Sequence, residues 1–494
     1  MPSTPATIQL SLVSHTNVGK TTLARTLLRR DIGEVRDQAH VTDLAEAQRL
    51  IDTPQGDVLL LWDTPGFGDS ARLLKRLRKS ENPLGWLLTQ VWDRIIDRPF
   101  YSSQQAIRAA RDQSDVILYL VNAAEEPASA GYVEIEMQIL GWLDKPVLLL
   151  LNQTGSPRAP ADESADEAAW RTHLASFACV RGALTLDAFA RCWTQEDELL
   201  QAVSEVLPHA QRDAFARLRA AWRSRNLAVF DASARVLSAQ LATTATDREA
   251  VPPSSLKDQA GRWLSSLFIG NEHSDPAAER AMQALATHLD DAVRGATDQL
   301  IALHDLSGHA ADEIHARIAT QFNMSRPADV GKSGAIGGLA SGALGGLTAD
   351  LAAGGFTFGA GALIGGVLGA LGASSAARAY NLARGTESGS VGWSAEFLTE
   401  SLATALLRYL AVAHFGRGRG DWVAGEYPPH WRSLVDEVTD AHRDALDMVW
   451  KRGAEGGARD ELERELQPVV TGAMRELLAR LYPDAADLWA TPSH

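Results

Sequence analysis

The segment Ser14 to Thr21, Ser-His-Thr-Asn-Val-Gly-Lys-Thr, constrains the fold of this chain more than any other. It follows an apolar run, Ile8 to Val13, that predicts a strand, and it leads into a helix-forming run, Lys20 to Arg30. Gly-Lys-Thr between a strand and a helix is typical of a phosphate-binding loop, where backbone N–H groups and the helix N-terminus surround phosphates. The sequence therefore predicts a nucleoside triphosphate site in an α/β domain.

The residue types of this loop suggest separate tasks. Lys20 is expected to reach the β- and γ-phosphates, and the hydroxyl of Thr21 is expected to bind Mg²⁺. Ser14 takes the place of the first glycine in the usual G-x-x-x-x-G-K-S/T pattern. The loop residues predicted to contact the nucleotide are Ser14, Asn17, Val18, Gly19, Lys20, Thr21 and Thr22.

Length and composition limit the class of protein. A chain of 494 residues is expected to form two or more domains, since single cores rarely grow past about 300 residues. Two cysteines, Cys179 and Cys192, cannot build a disulfide framework, and no signal-peptide pattern is present at the N-terminus, so we expect a cytoplasmic protein. A net charge of −15 makes nucleic acid an unlikely partner.

Three further apolar runs predict buried parallel strands: Val58 to Trp62, Val116 to Val121 and Val147 to Leu151. Asp63 follows the first of them and opens the sequence Asp-Thr-Pro-Gly, so we expect it to hold Mg²⁺ and Gly66 to meet the γ-phosphate. Thr42 stands where a mobile switch segment is expected and is the third candidate Mg²⁺ residue. The alternative for Thr42, a threonine at a strand edge, stays open.

Together, the Asn-Val-Gly-Lys-Thr loop, the Asp-Thr-Pro-Gly turn and the loop that begins at Asn152 resemble the Era/TrmE/EngA-type, translation-factor-like P-loop GTPases. The narrower resemblance is to a bacterial family that joins such a domain to a C-terminal region of unknown function. It implies hydrolysis of GTP to GDP and phosphate with Mg²⁺, with Lys20 and Thr42 as catalytic residues. It also places Asn152 and Gln153 at the base, beside the loop of Asp187 and Ala188, in which a backbone N–H contacts guanine O6.

The chain departs from this family at the base. The pattern Asn-Lys-x-Asp accepts two hydrogen bonds from guanine through its aspartate, and here that position is Gly155, while Gln153 replaces the lysine. Strict selectivity for GTP over ATP is therefore open. We expect GTP to be preferred but held loosely, with a nearby acid such as Asp162 or Glu163 in the place of the missing carboxylate.

A second departure concerns hydrolysis. Many GTPases orient the attacking water with a glutamine directly after the Asp-x-x-Gly turn, and here that residue is Phe67. Turnover is therefore expected to be slow unless a partner, or a second copy in a nucleotide-dependent dimer, supplies an arginine. The resemblance also makes Asn17 a catalytic candidate that holds K⁺; its alternative role is to cap a turn.

From about Gln195 the sequence has helical periodicity. We predict a GTPase domain over residues 1–207, with a mostly parallel sheet, and a mainly α-helical domain over 208–494. Two G-x-x-x-G-x-x-x-G ladders between 333 and 377 predict a Gly-rich helical hairpin. This hairpin either inserts into a membrane or packs inside a soluble helical domain.

The favoured function is a GTP-hydrolysing switch whose helical region couples to a membrane or a protein partner. This places the protein in the cytoplasm, with peripheral or inserted association at the inner face of the cell membrane as an option. Two alternatives stay open: a nucleotide-binding regulatory module that does not hydrolyse, and a ribosome-assembly GTPase.

Overall fold

A computed structural model describes most of the chain outside the Gly-rich segment. The described residues are 5–29, 46–79, 81–83, 85, 98–154, 160–188, 192–251, 276–306, 380–384, 389–415 and 428–489. Thr42, Gly155 and the hairpin predicted at 333–377 lie outside them.

The N-terminal part alternates strands and helices. Its elements are β1 Thr7–Ser14, α1 Lys20–Leu28, β2 Glu46–Asp52, β3 Val58–Asp63, α2 Ser70–Leu77, α3 Arg98–Asp112, β4 Val116–Asn122, α4 Gly131–Gly141, β5 Val147–Asn152, α5 Pro160–His173, β6 Val180–Thr185 and α6 Trp193–Val206. The six strands form one sheet in the order β2-β3-β1-β4-β5-β6. All neighbours pair in parallel except β2 with β3, which confirms the predicted mostly parallel α/β fold.

The central strands are apolar because helices cover both faces of a parallel sheet. Every residue of β5 is buried, and β4 is buried up to its last residue. The strands β2 and β6, which lie at the two edges of the sheet, were not predicted from the sequence. Most of their described residues are partly or fully exposed, so neither strand has a continuous apolar run.

The described residues fall into two compact units. The first contains those of Met1–Ala228, Ala413–Asp421 and Ala479–His494, and the second those of Val229–Val412 and Trp422–Leu478. The helix α7, His209–Thr246, contributes residues to both units. The first unit therefore extends past residue 207, and the predicted domain boundary at that residue stays a prediction.

Two acidic side chains form ion pairs that hold the start of α7 against the sheet domain within the first unit. Asp57, whose side chain is fully buried between β2 and β3, accepts two hydrogen bonds from Arg217 at 2.8 and 2.9 Å. These bonds hold the pKa of Asp57 below its usual value. In α6, Asp197 accepts bonds from both Arg219 and Arg223. The ion pairs explain why this part of α7 belongs with the sheet domain.

The second unit is mainly helical. Besides the rest of α7 it contains β7 Arg248–Val251, α8 Pro276–Leu303, β8 Tyr380–Arg384, β9 Gly389–Trp393, α10 Pro429–Ala441 and α11 Arg443–Ala454, with most of α9 Ala395–Ala413 and of α12 Arg459–Leu481. The predicted helical character is confirmed, but a three-stranded antiparallel sheet, β7-β9-β8, was not predicted. Its strands have at most five residues, too few for a clear periodicity. Among the described residues, no helix has the length and apolar character needed to cross a membrane.

Candidate nucleotide-binding site

The loop between β1 and α1 has the backbone that a phosphate-binding loop requires. Asn17 and Gly19 have φ angles of 66° and 90°, in the left-handed region that glycine and asparagine tolerate best. A Cβ atom added at Gly19 would lie 2.8 Å from the side-chain nitrogen of Asn152. Only glycine fits at position 19, because both its φ angle and its close neighbour exclude a side chain.

Lys20 lies at the first position of α1, with 8% of its surface exposed. Its Nζ atom donates a hydrogen bond to Oγ of Ser14, the residue in the place of the first motif glycine, at 2.9 Å. Burial lowers the pKa of Lys20 to about 8, against the opposing effect of the carboxylates of Asp63 and Glu136. The result is a poorly solvated ammonium group at the N-terminus of a helix, an arrangement that favours an anionic ligand.

Thr21 and Asp63 come together as predicted for a metal site. The hydroxyl of Thr21 donates to Asp63 Oδ2 at 2.6 Å, and the pairing of β1 with β3 sets Asp63 opposite Leu12 near the end of β1. Hydroxyl and carboxylate oxygens are the hard donors that Mg²⁺ prefers, so these two residues fit that ion. Thr42, the third predicted residue, lies outside the described part of the chain.

The turn after Asp63 is hydrogen-bonded to the phosphate-binding loop. The N–H of Phe67 donates to the carbonyl of Ser14 at 2.9 Å, and the N–H of Thr16 donates to the carbonyl of Phe67 at 3.2 Å. Gly66, which belongs to the turn, packs against Thr16 of the phosphate-binding loop. A Cβ added there would lie 3.0 Å from Nζ of Lys20, so the glycine backbone can approach the same position as the ammonium group.

The sequence position of Phe67 suggests a residue that faces the nucleotide, but its side chain lies in the core. Its side chain is fully buried and belongs to the apolar core formed with Val13, Leu73 and Phe100. The position that holds a water-orienting glutamine in many GTPases is therefore a packing position in this chain. A phenylalanine here stabilises the start of α2 against the sheet.

A buried carboxylate that was not predicted from the sequence connects four elements. Glu136 of α4 is fully buried and accepts hydrogen bonds from Ser70 of α2 at 2.5 Å and Tyr119 of β4 at 2.6 Å. Its contact with His15 Nδ1 is 2.7 Å. Burial, followed by the charge and hydrogen bond of Glu136, raises the pKa of Tyr119 well above its usual value, so the phenol stays a donor.

This network joins the phosphate-binding loop to the helix that follows the Asp-Thr-Pro-Gly turn. A sequence signal existed for it: Glu136 lies three residues after Val133 and four before Leu140, both buried, on one face of α4. A glutamate on an apolar helix face predicts buried polar partners, because an unpaired buried carboxylate is very costly.

At the other end of the site, Asn152 joins two loops. Its side chain, fully buried at the end of β5, donates through Nδ2 to the carbonyl of Val18 at 2.7 Å and accepts from the N–H of Ala188 at 2.8 Å. The N–H predicted for guanine O6 thus bonds to the asparagine in this structure. Gln153, with a φ of 61°, extends its amide toward Gly19.

Asp187 provides a further contact at this end. Asp187 is buried, with 2% of its surface exposed. Its carboxylate accepts hydrogen bonds from the N–H and the hydroxyl of Thr154 at 2.5 and 2.8 Å. The acids expected to replace the missing carboxylate, Asp162 and Glu163, lie in the first turn of α5, and Asp162 is exposed.

The structure thus brings the predicted residues together in two groups. The phosphate end consists of Ser14, Asn17, Val18, Gly19, Lys20, Thr21, Asp63 and Gly66, and the base end of Asn152, Gln153, Asp187 and Ala188, with Thr154 bonded to Asp187. Thr22 points into the protein and is 5% exposed. Their individual roles stay predictions.

Two family models match the chain. Residues 9–153 match the family described as 50S ribosome-binding GTPase, so the N-terminal domain is a P-loop GTPase domain. Residues 171–480 match the family described as Domain of unknown function (DUF3482). That second match spans more than half of the chain, and the protein belongs to this family. The predicted combination of an Era-type GTPase domain with a C-terminal region of unknown function is confirmed.

Solved structures align only weakly with the whole chain. Era from Aquifex aeolicus bound to GDP.AlF4- aligns with a TM-score of 0.30 and 14% identity over 58% of this chain and 88% of that one. Era in complex with MgGDPNP and nucleotides of 16S ribosomal RNA gives a TM-score of 0.30 and 14% identity over 61% and 90%. Likenesses this weak carry no inference about this chain. No curated protein with which the sequence was compared matches it.

Proposed function

We propose that this protein binds GTP with Mg²⁺ and hydrolyses it to GDP and phosphate as a nucleotide-dependent switch. The observation that carries the proposal is the phosphate end: a buried ammonium group of Lys20, the bonded pair of Thr21 and Asp63, and the Gly66 backbone, all beside the N-terminus of α1. Phosphoryl transfer depends on positioning and charge neutralisation, which these groups supply.

Each group has a defined task in this proposal. Lys20 donates to the β- and γ-phosphate oxygens, and the backbone N–H groups of the loop enclose them. Thr21 and Asp63 hold Mg²⁺, which when bound neutralises the charge that develops on the phosphates. Gly66 approaches the γ-phosphate with its N–H and transmits its presence to α2. Because the Phe67 ring lies in the core, the chain orients the attacking water without a side chain at that position.

The first test measures binding and phosphate release with purified protein. We expect saturable GTP binding that requires Mg²⁺ and slow release of phosphate over minutes to hours. Asp63→Asn should reduce the dependence on Mg²⁺, and Arg217→Lys, a change remote from the phosphate end, serves as the control variant. Tight GTP binding without phosphate release would favour the alternative, a regulatory module that binds but does not hydrolyse.

K⁺ is proposed as an activator held by Asn17. The exposed side chain and left-handed backbone of this residue are compatible with a ligand at the loop. If K⁺ supplies positive charge near the phosphates, turnover in potassium buffer should exceed that in sodium buffer, and Asn17→Ala should remove the difference. Equal turnover in both buffers would leave Asn17 with its alternative role as a turn cap.

The helical region is proposed to couple the nucleotide state to a membrane surface, a protein partner or a second copy of the chain. Its place in a GTPase chain supports this idea, since a switch needs a responding element. Sedimentation with anionic vesicles, and sizing by light scattering, in GDP and in a non-hydrolysable GTP analogue test the membrane and dimer versions. Nucleotide-independent results in both assays would reject those two versions. Cytoplasmic location and a ribosome-assembly role likewise stay predictions.

A further inference from the structure

We infer that Glu136 is a positioning residue for the γ-phosphate: it joins the start of α2 to the phosphate-binding loop and so holds the turn that contains Gly66. The inference rests on the proposed function, since it has meaning only where a nucleoside triphosphate binds. It assigns Glu136 and its donor Ser70 to the preference for the triphosphate over the diphosphate, which nucleotide binding by itself does not require.

The carboxylate of Glu136 is shared by donors from three parts of the domain. Its Oε1 atom accepts from the Ser70 hydroxyl at 2.5 Å and lies 2.7 Å from His15 Nδ1. Its Oε2 atom accepts from the Tyr119 hydroxyl at 2.6 Å. Because an ionised carboxylate only accepts hydrogen bonds, the His15 ring donates through Nδ1–H. A single oxygen atom therefore joins the phosphate-binding loop to the first residue of α2.

His15 is held in position on two sides. Its ring lies against the ring of Tyr132, with centroids 4.6 Å apart, and Tyr132 is one turn before Glu136 on the same face of α4. The backbone of His15 forms a bridge with Phe67, whose N–H and carbonyl bond to the loop residues on either side of His15. The contact with Glu136 therefore starts from a well-fixed part of the phosphate-binding loop.

Gly66 belongs to a turn that is hydrogen-bonded both before and after it. Before Gly66, the hydroxyl of Thr64 donates to the carbonyl of Leu12 at 2.6 Å. After it, Ser70 donates to Glu136. A segment that is already held in its binding position loses less conformational entropy when a ligand arrives. The bond at Ser70 should therefore keep the Gly66 backbone ready for the γ-phosphate.

This preorganisation favours the triphosphate in particular. Only GTP carries the γ-phosphate that Gly66 is proposed to contact, so only GTP depends on where this turn lies. The phosphates that GTP and GDP share are enclosed by the phosphate-binding loop, which keeps its own bonds when the Ser70 hydroxyl is removed. Loss of that hydroxyl should therefore weaken GTP binding and slow phosphate release, with little effect on GDP.

A merely structural role for Glu136 is to satisfy buried polar groups in the core. The donors are then equivalent, and the loss of any one of them lowers stability alone. Ser70 and Tyr119 are well matched for a comparison: both are buried, and both donate through a hydroxyl to the same carboxylate, at 2.5 and 2.6 Å. Only Ser70 belongs to the segment that follows Gly66.

The test compares Ser70→Ala with Tyr119→Phe in the full chain with Mg²⁺. Titration gives the affinities for GDP and for a non-hydrolysable GTP analogue, and phosphate release from GTP is measured in parallel. In Ser70→Ala we expect the affinity for the analogue, relative to GDP, to fall about 10-fold, since a hydrogen bond to a charged group is lost. Phosphate release should slow as well. Tyr119→Phe should keep the wild-type affinity ratio and release rate, although urea unfolding should show a loss of stability in both variants.

A second background tests whether Ser70 acts through Glu136. Glu136→Gln keeps the length of the side chain and an oxygen that can accept, but the bond from Ser70 is then no longer charge-assisted. Ser70→Ala added to Glu136→Gln should therefore lower the affinity ratio by only about 3-fold. The same effect as in the wild-type background would show that Ser70 acts independently of Glu136 and would overturn the inference.

The outcomes separate this inference from the proposed function. Equal changes of the affinity ratio in Ser70→Ala and Tyr119→Phe, or no change in either, would assign Glu136 to core stability alone and overturn the inference. Wild-type protein that binds the analogue and GDP equally would also overturn it, since the γ-phosphate would then add nothing to binding. If the wild type binds no guanine nucleotide with Mg²⁺ present, the proposed function itself fails.

Discussion

The phosphate end and the base end of the site occupy the same edge of one sheet, but they differ in how closely they keep the motif residues. At the phosphate end, Lys20, Thr21 and Asp63 have the residue types of the motif, and Lys20 donates to Ser14 while Thr21 donates to Asp63. At the base end, Gln153 and Gly155 depart from the family pattern, and a dense set of hydrogen bonds around Asn152 and Asp187 holds the loops. Phosphate binding depends on backbone N–H groups and on charged side chains, so the residue types of the loop can change little. A base, in contrast, can be contacted by residues that follow more than one strand.

The two ends are also physically connected. Asn152 bonds to the carbonyl of Val18, and the absence of a side chain at Gly19 makes room for the asparagine amide. A change in the position of one loop is therefore expected to shift the other. Changes at Lys20, Phe67 and Asn152 are expected to separate the two ends and to probe the link between them, and a change at Asp197 should affect neither end.

Lys20→Met should abolish useful binding at the phosphate end. It removes two or more charge-assisted hydrogen bonds to phosphate of about 2 kcal/mol each, so GTP affinity should fall by a factor of about 10³. Because burial lowers the pKa of Lys20 to about 8, the charged group is itself unfavourable in the nucleotide-free protein. The free energy of unfolding without nucleotide should therefore stay the same or rise by up to about 3 kcal/mol.

Binding is measured by titration with a fluorescent GTP analogue, and stability by urea unfolding. Lys145→Met, a change in a partly exposed residue of the loop before β5, is the matched control and should leave affinity intact. Undiminished binding in Lys20→Met would contradict the assignment of the phosphate end.

Phe67→Gln tests whether this position faces the nucleotide or the core. We expect a loss of about 3 kcal/mol in the free energy of unfolding, since the change removes a fully buried ring and buries an amide. Phosphate release should not become faster, because the side chain points into the apolar core. Faster release with unchanged stability would show that position 67 faces the nucleotide after all.

Asn152→Ala probes the connection between the two ends. The carbonyl of Val18 and the N–H of Ala188 would lose their bonds to the asparagine, which should lower the free energy of unfolding by about 2 kcal/mol. GTP and ATP affinities should fall by similar factors, since both depend on the position of the loop. A change confined to GTP would instead indicate that the Asn152 side chain contacts the base directly.

Asp197 lies outside both ends of the site. Asp197→Asn should have the smallest effect of the four changes, a loss of about 1 kcal/mol in the free energy of unfolding. Burial opposes ionisation of Asp197, but the bonds from Arg223 and Arg219 outweigh it and hold its pKa below 3.8. The stabilisation is therefore fully present above about pH 3.8 and is lost as the pH falls through the lowered pKa of the folded state.

Urea unfolding of both proteins at pH 7 and near pH 3 checks this, with nucleotide affinity measured in parallel at pH 7. The stability difference should shrink at the acidic pH, and GTP affinity should not change. A difference that grows on acidification has the wrong sign for a carboxylate with a lowered pKa.

Much of the α/β domain could be predicted from local sequence. Continuous apolar runs located β1, β3, β4 and β5, because strands covered on both faces need apolar side chains throughout. The edge strands β2 and β6 were not predicted, since the mixed polar and apolar sequence of a half-exposed strand resembles that of a loop. The same limit applies to the short strands of the second unit, and the pairing of β7 with β9 joins segments that are far apart in the sequence.

The candidate site shows a similar division. The positions of Gly19, Lys20, Thr21 and Asp63 followed from the motif, because each needs only its own residue type and its neighbours. The partners of Glu136 did not follow, since His15, Ser70 and Tyr119 belong to three other elements. Likewise, nothing in the sequence around Asp187 indicated its bonds to Thr154.

The sequence by itself determined that a strand, a glycine-containing loop and a helix would present N–H groups and an ammonium to a polyphosphate, because the chemistry is local and the chain supplies it in one stretch. Only the tertiary structure decided that Phe67 packs into the core and that Asp187 accepts hydrogen bonds from Thr154. Both depend on which strands pair and in what register, and that is set by the packing of the whole domain.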